Sequence, residues 1–413
     1  GKMKNYKSVY QNSTELMNLN GVPFYMTDFV DACLYGKLNL FLQGDTGSGK
    51  TQLAKDTMNY FPEKSMFVLG RNDMDTRELF QQINLGKLKD AKSSQELREL
   101  TDKINYRLFV VDELPNCVPA VRAQLFNLFD GFIEINGKPY SIGEGYSVGI
   151  ATGNVGQKFT ESNNDLGRAL KDRMHVTIDT DYFKPTAYDT FNILSKNTNP
   201  RVDFTESSGD GKLEKKILTA HNEVVSKEIP FEKLLIANYL IHGLDYCNIE
   251  GKETTKTKLK DSWPSAITSH GQGSDEALIL PVSPRAAKSI LRLSQAFDYI
   301  AKEKGALENE IKDNYFNSVM NAFKFVGAYS GILNEIAVRE NFENDKYSAM
   351  DSVILASKNQ YDSQSANISA GVHMANSGKK SKKVLDNFSG RWGFMRDFLE
   401  SSLEQKLNEA KIK

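Results

Sequence analysis

The chain has 413 residues, 40% of them hydrophobic and 25% charged, and 52 basic against 53 acidic side chains leave a net charge of -1. That length predicts two or three domains rather than one compact unit, and the balanced charge excludes a chain that holds nucleic acid or a membrane surface by global electrostatics, leaving only a local basic patch open. No apolar run has the length of a membrane span, and the start GKMKNYKSVY lacks the apolar core of a signal peptide, so a cytoplasmic location is expected.

Residues 1–25 are polar with scattered aromatics. Tyr25, Phe29, Val30, Cys33 and Leu34 then recur at helical spacing and predict a helix over 25–35 that feeds a first strand in the apolar run 38–42. Directly after it comes GDTGSGKT at 44–51, the spacing G-x-x-x-x-G-K-[ST] of a phosphate-binding loop. Backbone N–H groups can wrap a phosphate chain only where no Cβ blocks the approach, a freedom that Gly44, Gly47 and Gly49 supply. Lys50 would reach the β- and γ-phosphates as a point charge, and the Thr51 hydroxyl would bind Mg2+ at the start of a helix over 51–60. Asp45, Thr46, Ser48 and Gln52 complete the candidate nucleotide contacts. A glycine-rich turn that binds nothing is the plain alternative, and the strand before and helix after favour the phosphate loop. Residues 1–25 either wrap this core or contact the base.

Residues 65–69 (SMFVL) predict a buried strand closed by Gly70, followed by a helix near 75–83 and a solvated, lysine- and glutamate-rich helix or loop over 88–102. The run 107–113 (RLFVVDE) is continuously apolar over 108–111, as a parallel strand buried on both faces should be, and ligands in open α/β sheets bind at such a strand's C-terminal end. Asp112 is therefore expected beside Thr51, holding Mg2+ through water, and Glu113 is expected to polarise an attacking water. A helix over 118–130 follows. Strands on either side of Asn136-Gly137 then form a tight hairpin over 132–142. Residues 146–152 predict another strand, ending at Gly153-Asn154, where the Asn154 amide could bond both the γ-phosphate and the water. Arg168, Lys171 and Arg173 precede a strand at 176–178; a planar cation of this kind can stabilise a phosphoryl transition state from a neighbouring subunit or merely decorate a solvated helix. The cysteines Cys33, Cys117 and Cys247 read as small core residues in a reducing compartment, and the five histidines show no spacing for a structural zinc.

The order GDTGSGKT, VVDE, hairpin, IATGN, ALKDRM, VTIDTDY and finally Ser283-Pro284-Arg285 resembles an AAA+ ATPase of the MoxR type over about residues 20–305. The resemblance implies a P-loop NTPase (AAA+) α/β fold with a parallel sheet and helices on both faces, followed by an all-helical lid and a helical C-terminal extension. It implies Lys50 and Thr51 as Walker A, Asp112 and Glu113 as Walker B, Asn154 as sensor 1, Arg173 as arginine finger with Arg168 as its fallback, and Arg285 as the sensor 2 arginine. It implies ATP and Mg2+ as cofactors, ATP hydrolysis as the reaction, and a homo-oligomeric ring, most commonly a hexamer, acting on a partner protein that often contains a von Willebrand type A domain. Asp45 stands where proline is frequent, Ser48 where threonine is common, and Met174 replaces a phenylalanine; the segment 315–337 lacks a His-Arg pair often seen near the end of such proteins.

The domains expected are 1–180 for nucleotide binding, with the hairpin insert at 132–142, 181–305 for the lid, and 306–413 for the extension. In the lid, helices are expected over 231–244 and 284–300, with Ser283 as cap, Pro284 at the first helical position and Arg285 in the first turn. Residues 251–276 read as an exposed loop, residues 341–388 as partly flexible, and Trp392, Phe394, Met395, Phe398, Leu399 and Leu403 as an apolar helical stripe. Three other functions fit the same motifs: the ATPase subunit of a cobalt or magnesium chelatase, to which the chain is also similar, a nucleic-acid-linked motor or restriction component whose hairpin touches a strand, and an assembly platform that closes a ring on ATP without hydrolysis.

Overall fold

The structure, a computed structural model, describes residues 9–45, 47, 49–102, 104–154, 173–196, 211–267 and 275–412. Thr46, Ser48, Arg168 and Lys171 of the expectations above lie outside them. Contacts divide the chain into two compact units, one of residues 1–227 with 295–311 and one of residues 228–294 with 312–413.

In the first unit, β1 (Met17–Leu19) and β2 (Val22–Phe24) form a small antiparallel pair ahead of helix α1 (Met26–Gly36). Then come β3 (Leu40–Gln43), α2 (Lys50–Thr57), β4 (Ser65–Leu69), α3 (Thr76–Gln82), α4 (Ser94–Asp102), β5 (Leu108–Asp112) and α5 (Pro119–Phe129). The hairpin β6 (Phe132–Ile135) and β7 (Lys138–Ser141) follows, then β8 (Val148–Gly153), β9 (Val176–Asp179), α6 (Ala187–Ser195) and α7 (Lys212–Ser226). Five strands build one parallel sheet in the order β4-β5-β8-β3-β9. The apolar residues of β3 and β5 are buried throughout, as a sheet covered by helices on both faces requires. Because every strand runs the same way, the C-terminal ends of β3, β4, β5 and β8 meet along one edge. The core on one face is filled by Phe41, Val68, Phe109, Val111, Leu125, Phe129 and Ala151, with Ile133, Ile135 and Ile142 from the hairpin region packed into it. The turn of that hairpin places Asn136 and Gly137 at φ 53° and 78°, the two positive values that such a turn demands.

In the second unit, helix Phe231–Asn238 runs into a π-helical turn, Tyr239–Gly243, in place of a regular helix to 244. Residues 251–276 are not simply a loop. Lys252–Thr255 pairs antiparallel with Tyr246–Ile249, and a short helix Lys256–Leu259 follows, capped by Thr255. Lys256 is 2% exposed, its Nζ donating to the carbonyls of Asp275 (3.0 Å) and Ile279 (2.5 Å). Residues expected to be partly flexible within 341–388 instead form helices Lys346–Ser363, Ser365–Ser377 and Lys382–Asp386. The physical reason is a narrow stripe: Tyr347, Met350, Val353 and Ser357 recur at three- and four-residue steps and are buried, while serines, asparagines and lysines occupy the remaining faces. The tail stripe is core of this unit, with Trp392, Met395, Leu399 and Leu403 buried and Phe398 against Phe231 at 5.1 Å between ring centroids. All three cysteines are free and buried. Among the described residues no helix is long and apolar enough to cross a membrane.

Candidate functional site

The loop after β3 has Gly47 at φ 92° and Gly49 at φ 86°, backbone that residues bearing a Cβ rarely adopt, and helix α2 opens at Lys50 immediately behind it. Lys50 is 3% exposed, and its Nζ donates to the Asp45 carbonyl at 3.3 Å, bridging the loop. Asp45 itself is exposed, and its N–H donates to Asp181 Oδ2 at 2.8 Å just past β9. The Gly44 N–H donates to the Gly153 carbonyl at 3.2 Å, tying the loop to the tip of β8, and exposed Asn154 follows at once.

Walker A and the acidic pair meet directly. Thr51 Oγ1 donates to Asp112 Oδ1 at 3.1 Å, and Thr152 Oγ1, from β8, donates to the same oxygen. Thr152 in turn accepts the Glu113 N–H at 3.1 Å, so one buried hydroxyl sets both acids. Glu113 sits at φ 57° and ψ 44°, a left-handed backbone costing about 1 kcal/mol for a residue other than glycine. Gly70 makes that turn possible: its N–H donates to the Asp112 carbonyl at 2.7 Å, and a Cβ there would lie 2.3 Å from the Glu113 carbonyl oxygen. The sequence marks Gly70 only as the residue that closes a strand and Thr152 only as the last residue of the run 146–152. A glycine immediately after β4 was the only local signal for the first, and nothing local marked the second.

These groups line a cleft of about 500 Å³ that also takes in Val9, Tyr10, Gln11, Lys55, Phe67, Pro185, Ile193 and Lys196. Its cationic lining among the described residues is lysine: Lys50, Lys55 and Lys196. Gln52 lines it too, with its amide held by Asp56 Oδ1 at 2.7 Å. Burial pushes the Tyr10 phenol well above its ordinary value, so the ring is a neutral wall at any working pH.

Arg173 lies elsewhere. It precedes the first residue of β9, at the N-terminal edge of the sheet, and its Nε pairs with Asp130 at 2.7 Å with both side chains about one-third exposed. Its carbonyl accepts from Asn39 Nδ2, which also bonds the Phe129 carbonyl, both at 3.0 Å. Asn39 Oδ1 accepts the Gly149 N–H at 2.8 Å, so this one buried amide fixes the end of α5, the start of β8 and the approach to β9. Arg285 belongs to the second unit. Its place in the first turn of helix Pro284–Glu303, capped by Ser283 Oγ accepting from the Ala286 N–H at 3.1 Å, agrees with the sequence reading, and its side chain is exposed.

A five-stranded parallel sheet in this order, with a phosphate loop after β3 and an acidic pair after β5, is the AAA+ P-loop NTPase fold. Residues 39–174, which span β3 through β8, match the family model for the AAA domain of the dynein-related subfamily. No curated protein matches the chain. Among solved structures, the chain is 15% identical to a Cytophaga hutchinsonii protein with a provisional ATPase assignment, at a TM-score of 0.48, covering 79% of this chain and 88% of that one. It is 10% identical to a full-length MCM homolog from Methanopyrus kandleri, at a TM-score of 0.39, covering 74% of this chain and 55% of that one. At those scores neither likeness bears on function or partner.

Proposed function

We propose that the chain is an ATP-hydrolysing AAA+ ring ATPase that remodels or matures a partner protein or complex, in the manner of MoxR-type proteins. The observation that carries the reading is the junction of Thr51, in the first turn of α2, with Asp112 and Glu113, at the end of β5, beside the Lys50 loop. AAA domains generally bind and hydrolyse nucleotide, and each residue here suits a part in that chemistry.

The Thr51 hydroxyl and Asp112 carboxylate are hard oxygen donors suited to Mg2+. Mg2+ commonly keeps water and phosphate oxygens as its other ligands. When bound, the ion would neutralise charge on the phosphates. Lys50 adds a cation from the loop, and the N–H groups at the start of α2 favour the same anion. Glu113 orients the attacking water and takes its proton, its carboxylate aimed by the left-handed turn and the Thr152 bond. Asn154, at the tip of β8, hydrogen-bonds the water or the γ-phosphate.

Arg173 supplies the remaining charge to a neighbouring subunit. Parallel strands put it at the opposite edge of the sheet from its own phosphate loop, and four residues of β9 at about 3.3 Å each already account for roughly 13 Å. Its pair with Asp130 is partly exposed, of a kind worth about 0–1 kcal/mol, and is readily exchanged for a phosphate. Residues 1–180 then serve as nucleotide-binding domain, 181–305 as a lid in which Arg285 senses the γ-phosphate, and 306–413 as an extension, the whole closing as a ring, most simply a hexamer.

Phosphate release from Mg-ATP by the wild type and by Glu113→Gln tests the reading. The variant should retain ATP binding and lose turnover by about a hundredfold or more. A wild type no faster than the variant would leave a non-hydrolysing platform instead. The Glu113→Gln chain, held with ATP bound, is also the form with which to capture the partner.

A further inference from the structure

We propose that Asn39 and His175 are positioning residues that hold Arg173 at the sheet edge from which it serves a neighbouring subunit. Their role rests on the reading of Arg173 as an arginine that acts in trans, and adds to it what fixes that arginine in place.

Asn39 is the polar residue of the apolar run 38–42, and it is 3% exposed. A buried amide is costly unless its donors and acceptors are bonded, and here every one of them is. The side chain donates from Nδ2 to the Arg173 and Phe129 carbonyls and accepts the Gly149 N–H on Oδ1. The main-chain carbonyl accepts the N–H groups of His175 (3.0 Å) and Val176 (3.1 Å), and the Asn39 N–H donates to His175 Nδ1 at 2.8 Å. One residue thus grips the approach to β9 at Arg173, His175 and Val176, immediately ahead of the ladder that begins with Leu40 opposite Val176.

The grip falls where the sheet has least support of its own. Among the described residues β9 is an edge strand, bonded along its length by β3 alone, so its first residues depend on side chains to stay in register. Asn39 also bonds the carbonyl of Phe129, the residue before Asp130, so one amide sets the main chain behind both members of the Arg173–Asp130 pair. The Arg173 side chain is left about one-third exposed, able to exchange Asp130 for a phosphate while its backbone stays fixed. His175 completes the arrangement. Only a ring nitrogen without a proton can accept, so Nδ1 carries the lone pair in this bond, and without it the Asn39 N–H would be a buried main-chain donor with no acceptor. An asparagine at 175 would carry its amide oxygen at the place of Nδ1, whereas a glutamine amide reaches the place of Nε2 and misses the Asn39 N–H.

The test uses full-length chains carrying His175→Gln or His175→Asn, assayed for ATP affinity and for phosphate release from Mg-ATP, alone and mixed with Lys50→Ala or Arg173→Ala chains. His175→Gln should lower turnover about tenfold and leave ATP affinity unchanged, because its own phosphate loop and acids are intact and only the arginine it lends is displaced. Mixing with Lys50→Ala, which lends a well-placed arginine, should restore turnover per His175→Gln chain, and mixing with Arg173→Ala should not. His175→Asn, which keeps the acceptor, should keep most of the wild-type rate. A His175→Gln chain that turns over at the wild-type rate, that loses ATP binding, that Lys50→Ala fails to restore, or that His175→Asn matches in its loss would overturn the positioning role. If Arg173→Ala is itself as fast as the wild type, or if Arg173→Ala and Lys50→Ala fail to restore each other, the reading in trans falls and the positioning role with it. If those two restore each other and His175→Gln still fails as above, the positioning role alone falls.

Discussion

Glu113 gains its aim from neighbours distant in the sequence, and Gly70 is the most exacting of them. A methyl group 2.3 Å from the Glu113 carbonyl cannot be accommodated without moving the backbone that carries the carboxylate, since the obstacle is main chain rather than a flexible side chain. Gly70→Ala should therefore slow ATP hydrolysis by about tenfold or more while ATP still binds through Lys50, because displacement of a catalytic group by a fraction of an ångström is costly to the rate. Phosphate-release rates and equilibrium ATP binding measured side by side check this, and an unchanged rate would mean that Glu113 tolerates the shift. The Lys50, Thr51, Asp112 and Glu113 quartet was legible because each half is a short contiguous motif with its own chemistry. Gly70 and Thr152 were not, because their roles exist only once β4, β5 and β8 lie side by side.

Elements of the second unit show the opposite balance between composition and pattern. The stripe through Trp392, Met395 and Leu399 was readable from helical spacing and is buried core, so Leu399→Ala should cost about 2–5 kcal/mol in denaturant unfolding, whereas an alanine at exposed Leu407 should change little. Residues 346–377 were misread because serine, asparagine and lysine dominate their count while a thin buried stripe decides their state. The segment after Gly251 was misread for a related reason: its one decisive residue, Lys256, looks like a surface charge and is buried. Burial pushes its pKa down from 10.5 to about 8, with Asp275 opposing the shift. The folded-state value is thus below the unfolded one, so between about pH 8 and pH 10 the unfolded chain holds a proton that the folded chain has lost. Unfolding free energy contributed by this group must rise with pH over that window, by up to about 1.4 kcal/mol per pH unit, and stay at its minimum below pH 8. The thiols of Cys33, Cys117 and Cys247, each raised by burial from 9.0, act in the other direction from about pH 9, and the Tyr239 phenol, raised from 10.0, joins them from about pH 10. In urea unfolding at pH 7, 8, 9 and 10 the difference in unfolding free energy between wild type and Lys256→Met should shift in favour of the wild type as pH rises above 8; a difference independent of pH would mean that Lys256 stays charged in the folded chain.

At the scale of the whole molecule, the sheet's direction decides at which end of the strands Arg173 lies. The sequence placed this arginine near VTIDTDY but could not say at which end of the sheet it would fall; in the fold it is at the edge away from the Lys50 loop, held by Asp130 and by the Asn39 amide that bonds its carbonyl. The cationic lining of the cleft among the described residues is lysine, and on the proposed reading Arg173 reaches a phosphate of a second copy rather than one of its own. Two consequences can be measured. Turnover per chain should rise with protein concentration and level off as association completes, because the competent site is formed by mass action. Lys50→Ala and Arg173→Ala chains, each inactive alone, should regain part of the wild-type rate when mixed, since a neighbour pair in a mixed ring can combine an intact loop with an intact arginine. Turnover independent of concentration down to the monomer, together with no recovery on mixing, would remove Arg173 from the site and with it the reason for a ring.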